Sequence, residues 1–383
     1  MVKQLVAELL HNRPEQIKKA KETGTPVIGY FPGGYVPEEI IHASGALPLC
    51  LCDGSDAPAK EGLSIFPNVI CPFARAQVGE MFLKTNPYYN MIDLLIVPLT
   101  CQHLKKVGEI LEYYGNIKVF KLGIPYQDSD FEMDYYIARI KAMKAAIEDV
   151  TGSEITDEKI YESIDIYNRL RELLKNISLL RRDRNVSIDS SDFVALNHAS
   201  FYVDPVLMTE AMEALYKRLS GSRPKTNSVK PRLLIAGPNL SRGDYSLLKT
   251  VEDSGGKVVI EDIFEGIRYY WHNIERNGNP IESIAGGHIR GRVPGAFMRS
   301  SSKKRLEFLL GLIEDFHVSG VIWYELLCCE FYDEESYLFN KRLRERGIPM
   351  LTVESNYDAS EAGPLKTRID AFIEMIRGGL FYD

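Results

Sequence analysis

The stretch GVIWYELLCCEFYDEESYLFNKRLRERGIPMLTVES, residues 320–355, has the pattern of a strand, a helix and a second strand. GVIWYELL is an apolar run of strand length, EESYLFNKRLRERG has helical apolar spacing and ends at a glycine, and PMLTVES is again strand-like. This order is typical of a parallel sheet with helices on its faces. Cys328 and Cys329 lie where the first strand should end, and neighbouring side chains on an extended chain point in opposite directions.

The same pattern occurs twice along the chain. Further strands are predicted at 26–31, 47–52, 91–100, 117–125, 231–237 and 257–262, and helices at 3–22 and 102–115, with another opening at Pro37. We therefore expect an α/β protein of two doubly wound parallel-sheet domains, Rossmann- or flavodoxin-like, with an inserted helical segment. The predicted boundaries are 1–24 for an N-terminal helix, 25–129 for the first α/β domain, 130–228 for the helical segment and 229–383 for the second α/β domain.

Composition excludes several classes of protein. The 383 residues carry a net charge of −7, which argues against nucleic acid as a partner because no basic stripe is present to neutralise phosphates. No apolar run approaches the roughly 20 residues that cross a membrane. The N-terminal residues lack the apolar region and cleavage site of a signal peptide. We expect a cytoplasmic protein with no membrane association.

The six cysteines all lie at or near predicted strand-to-helix junctions: Cys50, Cys52, Cys71, Cys101, Cys328 and Cys329. Ligands of open parallel sheets bind outside the carboxyl ends of the strands, so these thiols are expected to line one cavity. In a reducing compartment, clustered cysteines favour metal, iron–sulfur or redox chemistry over disulfides, whereas a single Cys is more often a small buried hydrophobe. The absence of CxxC argues against structural zinc. Six thiolates fit either a cluster larger than one cubane or a three-cysteine cubane with spare thiols.

Four other side chains are candidates for catalysis, and a fifth, Arg75, is a candidate for the lining of the cavity. His103, two residues after Cys101, is placed to donate a proton or to bond a cluster sulfide, although a surface histidine is the alternative. Glu325 and Glu330 flank the cysteine pair as potential proton relays, and Glu330 also suits a helix N-terminus. Tyr35, in the PGGY turn, and Arg75 are expected to line the cavity.

Three segments have less specific patterns. Residues 236–244 follow a strand and contain glycine, but there is no GxGxxG, so an ordinary loop is expected. Residues 282–297 are rich in glycine and arginine and suit a solvated loop, with a lid or anion site as the alternative. The aromatic stripe at 269–277 is interpreted as a helical stripe of the core or of an interface rather than as a cofactor site. The chain also lacks a GxxxxGK[ST] motif, so we expect it to bind no nucleotide.

Several stretches, in this order, resemble the 2-hydroxyacyl-CoA dehydratase and benzoyl-CoA reductase superfamily over nearly the whole chain. They are GYFPGGYVPEEIIHASGALPL (29–49), CPFARAQVGE (71–80), DLLIVPLTCQHLKK (93–106), ELLCCEFYDEE (325–335) and ESNYDASEAGPLKTRIDAFIEM (354–375). In that superfamily one subunit holds a [4Fe–4S] cluster through three cysteines. The matching positions here are Cys71, Cys101 and Cys329.

The chain departs from this pattern by adding Cys50, Cys52 and Cys328. Three plus three cysteines is the complement of the double-cubane cluster proteins, a homodimeric branch whose [8Fe–9S] cluster joins two cubanes. The resemblance then implies that Cys328 and Cys329, pointing apart, reach different cubanes.

The function implied by this branch is an iron–sulfur oxidoreductase. An ATP-hydrolysing [4Fe–4S] reductase partner supplies low-potential electrons, and a small molecule is reduced at the double cubane. The first alternative is a dehydratase or benzoyl-CoA reductase-like subunit with one three-cysteine [4Fe–4S] cluster. The second is a non-catalytic iron–sulfur carrier or scaffold.

Overall fold

The computed structural model describes residues 1–184, 186, 188–221 and 230–379. Its strands are β1 (Val27–Tyr30), β2 (Leu47–Cys50), β3 (Leu94–Leu99), β4 (Val119–Gly123), β5 (Arg232–Ala236), β6 (Lys257–Asp262), β7 (Gly320–Leu326) and β8 (Met350–Ser355). They form two four-stranded sheets, with the orders β2-β1-β3-β4 and β6-β5-β7-β8. Every strand pair is parallel, as the apolar runs predicted. The two-sheet α/β fold class is thus confirmed.

The helices flank both sheets and fill the middle of the chain. They are α1 (Val2–His11), α2 (Arg13–Glu22), α3 (Glu38–Ala43), α4 (Asp56–Glu61), α5 (Pro72–Leu83), α6 (Gln102–Gly115), α7 (Asp130–Thr151), α8 (Asp157–Leu180), α9 (Ser190–Ser200), α10 (Pro205–Gly221), α11 (Ser246–Asp253), α12 (Ile267–Tyr270), α13 (Pro280–Gly286), α14 (Ser302–Asp315), α15 (Glu330–Arg344) and α16 (Ala362–Gly378). Within the described ranges, no helix combines the length and the apolar character that a membrane span needs.

The predicted helical segment corresponds to α7–α10, and its long helix α8 contacts both α/β units. Arg171 of α8 pairs with Glu39 of α3 in the first unit. Arg181, just after α8, makes two bonds to Glu261 of β6, of 2.6 and 2.8 Å. All four side chains are buried, so these pairs fix the helical segment against both sheets. The boundaries chosen from the sequence stay predictions, and the one at 228/229 lies outside the described residues.

The carboxyl edges of the two sheets face each other. The backbone N–H of Arg242, in the loop after β5, donates to the carbonyl of Cys52, just after β2, at 2.8 Å. The N–H of Gly54 returns a bond of 3.2 Å to the Arg242 carbonyl. This contact brings together the edges at which parallel sheets bind ligands.

Three predictions of local structure are wrong. The helix expected at 3–22 is two helices separated at Asn12, because Pro14 has no N–H to continue a helix and occupies the first turn of α2. The solvated loop expected at 282–297 contains α13 and a π-helical turn, Gly287–Gly291, with His288 buried. In the stripe 269–277, the helix ends at Tyr270, although Tyr269 and Tyr270 belong to the core as expected.

Candidate functional site

Three of the six cysteines begin helices. Cys71 is the N-cap of α5, Cys101 of α6 and Cys329 of α15. Cys71 is buried, and Cys101 and Cys329 are partly exposed. We call this group the three-cysteine site; it combines two helices of the first α/β unit with one of the second.

The thiols of the three-cysteine site act on one another electrostatically. Burial raises the pKa of Cys71, and the neighbouring Cys101 and then Cys329 raise it further. Burial raises the pKa of Cys329 to about 12, with Cys101 as the next cause. Thiolates in this group repel one another and are poorly solvated, so they need positive charge to stay ionised.

The helix N-termini supply part of that positive charge. The N–H of Leu104 donates to Cys101 Sγ at 3.4 Å, and this N–H lowers the pKa that burial raises. Arg75, one turn into α5 and buried, acts in the same direction on Cys71. A helix N-terminus favours a thiolate through its exposed N–H groups and its dipole. Three such ends therefore form an environment suited to a cluster of thiolates.

Sheet topology explains why two of these cysteines meet. In each sheet the chain starts at an inner strand, moves outward, and then crosses to the other side of that strand, at β3 in one sheet and β7 in the other. Cys101 follows β3 and Cys329 follows β7. Both therefore lie at the topological switch point of their sheet, where doubly wound folds bind ligands.

The thiols of the three-cysteine site can be compared with the ligands of an iron–sulfur cubane. In the part of the chain that the structure describes, no three His, Cys, Asp or Glu side chains are grouped as ligands of one ion. A [4Fe–4S] cluster places each thiolate on a different iron, so its ligands need not converge on one point. Three adjacent thiols at three helix N-termini satisfy that requirement.

Cys50 and Cys52 lie in a second, fully buried group. Cys50 is the last residue of β2, and Cys52 Sγ lies 3.6 Å from the hydroxyl of Tyr202. That hydroxyl donates to Asp53 at 2.7 Å, and Arg242 pairs with the same carboxylate at 2.6 Å. The Tyr202 hydroxyl and the Asp53 carboxylate next to Cys52 are thus already hydrogen-bonded or ion-paired.

Within this second group, Cys52 and His198 favour opposite charges. Burial alone would raise the pKa of Cys52, but the Cys50 thiol and His198 outweigh it and lower that pKa. Burial would lower the pKa of His198, but Cys52 and Glu265 raise it. Cys52 and His198 therefore shift each other's pKa in opposite directions, that of the thiol down and that of the imidazole up.

Cys328 directly precedes Cys329 in the turn after β7. Its φ is +63°, in the left-handed region that residues with a Cβ rarely adopt. Its Sγ lies 3.9 Å from the carbonyl oxygen of Asn68, and it is partly exposed. Three of the six thiols thus lie at the three-cysteine site, two in the buried group and one, that of Cys328, beside Asn68. That all six line one cavity stays a prediction.

The other predicted residues are divided between the site and the core. His103 Nδ1 accepts the N–H of Cys71 at 3.3 Å; burial lowers the pKa of His103, against the effect of Glu330. Glu330 is exposed in the first turn of α15. Glu325 is buried within β7, which raises its pKa. The Tyr35 hydroxyl accepts the N–H of Gly295 at 2.9 Å in an aromatic part of the core.

Sequence reasoning missed the buried charges between the sheets. These are polar side chains with little or no exposure, and no hydrophobic periodicity in the sequence marks them. They are Glu38, His198, Arg242, Glu265 and Arg292. The one available sign was the pair of glutamates in the apolar run PEEIIHA.

The chain is similar to known proteins along nearly its whole length. Residues 34–376 match the family model described as 2-hydroxyglutaryl-CoA dehydratase, D-component. YjiM of Escherichia coli (strain K12), named as a dehydratase subunit, is 27% identical over 93% of both chains. A benzoyl-CoA reductase subunit of Thauera aromatica is 23% identical, covering 94% of this chain and 93% of its own. The (R)-phenyllactyl-CoA dehydratase beta subunit of Clostridium sporogenes is also 23% identical, over 94% of both.

The family model begins just after β1 and covers the rest of the first sheet, the helical segment and the second sheet. The chain therefore belongs to the 2-hydroxyacyl-CoA dehydratase and benzoyl-CoA reductase subunit family.

Proposed function

We propose that this chain is the iron–sulfur subunit of an enzyme acting on acyl-CoA thioesters, and that it holds one [4Fe–4S] cluster through Cys71, Cys101 and Cys329. The observation that carries the proposal is the meeting of three thiols at three helix N-termini drawn from both α/β units. The reaction is the dehydration of a 2-hydroxyacyl-CoA or the reduction of a related thioester, in line with the names of the relatives.

A bound cluster would supply one-electron transfer and an iron that these three cysteines leave without a thiolate. The chain's own residues hold and tune that site. The N-termini of α5, α6 and α15, together with Arg75, stabilise the thiolates. His103 accepts the Cys71 N–H through Nδ1, so its proton is on Nε2 when the ring is neutral. Because burial lowers the pKa of His103, neutral pH favours that form, in which the Nε2–H group can donate a hydrogen bond.

The electron source is proposed to be a separate ATP-hydrolysing [4Fe–4S] reductase. The chain has no GxxxxGK[ST] motif, so nucleotide hydrolysis belongs to that partner. The full enzyme would join this polypeptide to a second, different one, since the relatives are named as subunits.

A second candidate is the homodimeric reductase with a double-cubane [8Fe–9S] cluster held by all six cysteines. The left-handed Cys328 favours it, because strained backbone in a residue next to a ligand is typical of a functional position. The buried bonds of Cys52 to Tyr202 and Cys50 argue for the single cubane instead.

Six single Cys→Ser variants, purified without oxygen, test these candidates through visible absorption and electron paramagnetic resonance. The single-cubane proposal predicts that Cys71→Ser, Cys101→Ser and Cys329→Ser lose most of the cluster signal. It predicts that Cys50→Ser, Cys52→Ser and Cys328→Ser keep it if they fold. Loss of about half the iron in the second set would support the double cubane, and an intact signal in the first set would contradict both candidates.

Activity separates the two candidates further. With the reductase partner, ATP and a companion polypeptide, we expect turnover of an (R)-2-hydroxyacyl-CoA or benzoyl-CoA. Reduction of small nitrogenous or unsaturated molecules by this chain and the reductase alone would favour the double cubane.

A further inference from the structure

A cleft of about 440 Å³ lies at the open edge of the second sheet, beside the amino end of β8. The end of α15 and the second half of α16 form its two sides. Cavities that bind small organic molecules typically measure about 300–1,000 Å³, so the cleft has room for one. Cys329 follows the carboxyl end of β7, at the opposite end of this sheet. The cleft is therefore separate from the three-cysteine site.

Most of the cleft lining is apolar. Ile348, Met350 and Leu351, at the start of the edge strand, are half-buried because no further strand covers them. Phe372 and Met375 of α16 face the same cleft. An apolar ligand lying here would remove the exposed parts of these side chains from water, which is favourable.

The charged side chains of the lining are both cations. Arg344 of α15 and Arg368 of α16 line the cleft, and none of the described residues that line it is an Asp or Glu. Arg368 donates through one terminal nitrogen to the carbonyl of Thr352 at 2.6 Å, which holds its guanidinium at the edge of β8. Arginine recognises carboxylates through paired N–H donors. The lining thus matches a ligand that combines an apolar body with a negative charge.

The backbone of the edge strand adds donors to the same cleft. The N–H of Val321 in β7 donates to the carbonyl of Pro349 at 2.9 Å, so the odd-numbered residues from Pro349 onward face β7. The backbone groups of Met350 and Thr352 therefore face the open edge, in agreement with the bond from Arg368 to the Thr352 carbonyl. A carboxylate at this edge can accept from an outward N–H as well as from a guanidinium.

We propose that this cleft binds a small carboxylic acid with an aryl or branched alkyl body. Its carboxylate lies at Arg344 and Arg368, and its apolar body packs against Met350 and Phe372. The CoA thioester of the same acid has no carboxylate, so the site distinguishes a free acid from its thioester. The proposal is independent of the iron–sulfur cluster, because no residue of the cleft belongs to the three-cysteine site.

An NMR titration of the full chain that observes 3-phenylpropionate tests this. We expect saturable binding with a Kd of roughly 0.1–2 mM, which is typical of a ligand of this size in a partly open site. The neutral 3-phenylpropionamide, which has the same shape, should bind about 3–10-fold more weakly because it lacks the charge. Equal affinity for the amide, or no saturable binding of the acid up to about 10 mM, would overturn the proposal.

Three variants assign the binding to the cleft. Arg368→Gln should weaken the acid by about 3–10-fold and leave the amide unchanged. Ala371→Phe, which places a ring in the cleft from an exposed position, should abolish the binding of both. Arg342→Gln changes an exposed arginine of α15 outside the lining and should change neither. Native affinity for the acid in Arg368→Gln or in Ala371→Phe would overturn the proposal.

Crystals of the native chain soaked with 3-(4-bromophenyl)propionate locate the ligand without any variant. The expected result is an anomalous bromine peak in the cleft beside Phe372, with the carboxylate in hydrogen-bond contact with Arg368. A bromine peak only at another site, or a cleft filled by a second copy of the chain, would overturn the proposal.

Discussion

The backbone N–H of Cys71 donates to His103 Nδ1 across 3.3 Å, which links the N-terminus of α5 to the first turn of α6. The bond fixes which ring nitrogen carries the proton of neutral His103 and positions the loop that bears Cys71. His103 therefore supports a proposed cluster ligand through the backbone.

His103→Ala should weaken cluster binding without abolishing it. Changes at residues that orient metal ligands typically cost 10–100-fold in affinity, so we expect roughly 10-fold faster loss of iron to a chelator. His11→Ala, at an exposed histidine of α1, is the matched control. Equal rates in both variants and the native protein would show that His103 does not support the cluster.

The stability of the fold should depend on pH through Glu38. Burial raises the pKa of Glu38 to about 7, with Glu39 adding to the rise and Arg171 opposing it. The folded chain therefore holds this proton more tightly than the unfolded chain. The stabilisation of the fold that comes from protonated Glu38 is complete below about pH 4.5 and is lost as pH rises through about 7.

Glu38→Gln should flatten that dependence, because glutamine does not titrate. A shift from 4.5 to about 7 corresponds to at most about 3 kcal/mol between the two ends of the window. Denaturant unfolding at pH 5 and pH 8 measures the difference, with the exposed Glu210→Gln as control. If the unfolding free energy of Glu38→Gln changed with pH as steeply as that of the native protein, Glu38 would not be the group responsible.

Breaking the buried ion pair Arg181–Glu261 should lower the free energy of unfolding far more than breaking an exposed ion pair. Its two charges are 0% and 2% exposed, so Arg181→Met leaves an unpaired buried carboxylate and should cost about 3–5 kcal/mol of unfolding free energy. Arg169→Met, which breaks an exposed pair with Glu213, should cost about 1 kcal/mol or less. Comparable losses in urea unfolding would contradict this view of how α8 is fixed to the second sheet.

Gly79 allows α4 to approach α5, the helix that begins at Cys71. A Cβ there would overlap the carbonyl oxygen of Pro58, so Gly79→Ala should cost at least about 1–3 kcal/mol. Gly311→Ala in α14 meets nothing within 4 Å and should stabilise by about 0.4–1 kcal/mol. Calorimetry should therefore show a Tm that Gly79→Ala lowers and Gly311→Ala raises. An unchanged Tm in Gly79→Ala would show that α4 can move away from α5.

Local sequence signals predicted the elements that end at strong stop residues. Helix α6 was expected over 102–115, closed by Gly115, and is observed there, although the left-handed residue that ends it is Asn116, one position later. The error at 282–297 has the opposite cause. Glycines suggested a loop, but His288 is buried in the turn and its Nδ1 lies 2.9 Å from the Tyr136 hydroxyl, a contact that the local sequence does not show.

The candidate site was predictable only in part. The position of Cys101 and Cys329 after parallel strands follows from alternating apolar runs. The separate burial of Cys50 and Cys52 does not, because it depends on Tyr202 and Arg242, which lie about 150 and 190 residues away in sequence. Pairings over such distances leave no periodic signal in a single sequence.

The most direct test is the amount of iron and acid-labile sulfide per chain in protein purified without oxygen. It decides whether these cysteines hold one cubane. A single cubane held by Cys71, Cys101 and Cys329 predicts about four irons and about four sulfides per chain. About eight irons with a slight excess of sulfide would replace it with the double cubane. Protein that binds no iron after anaerobic reconstitution would contradict the assignment of these cysteines as cluster ligands.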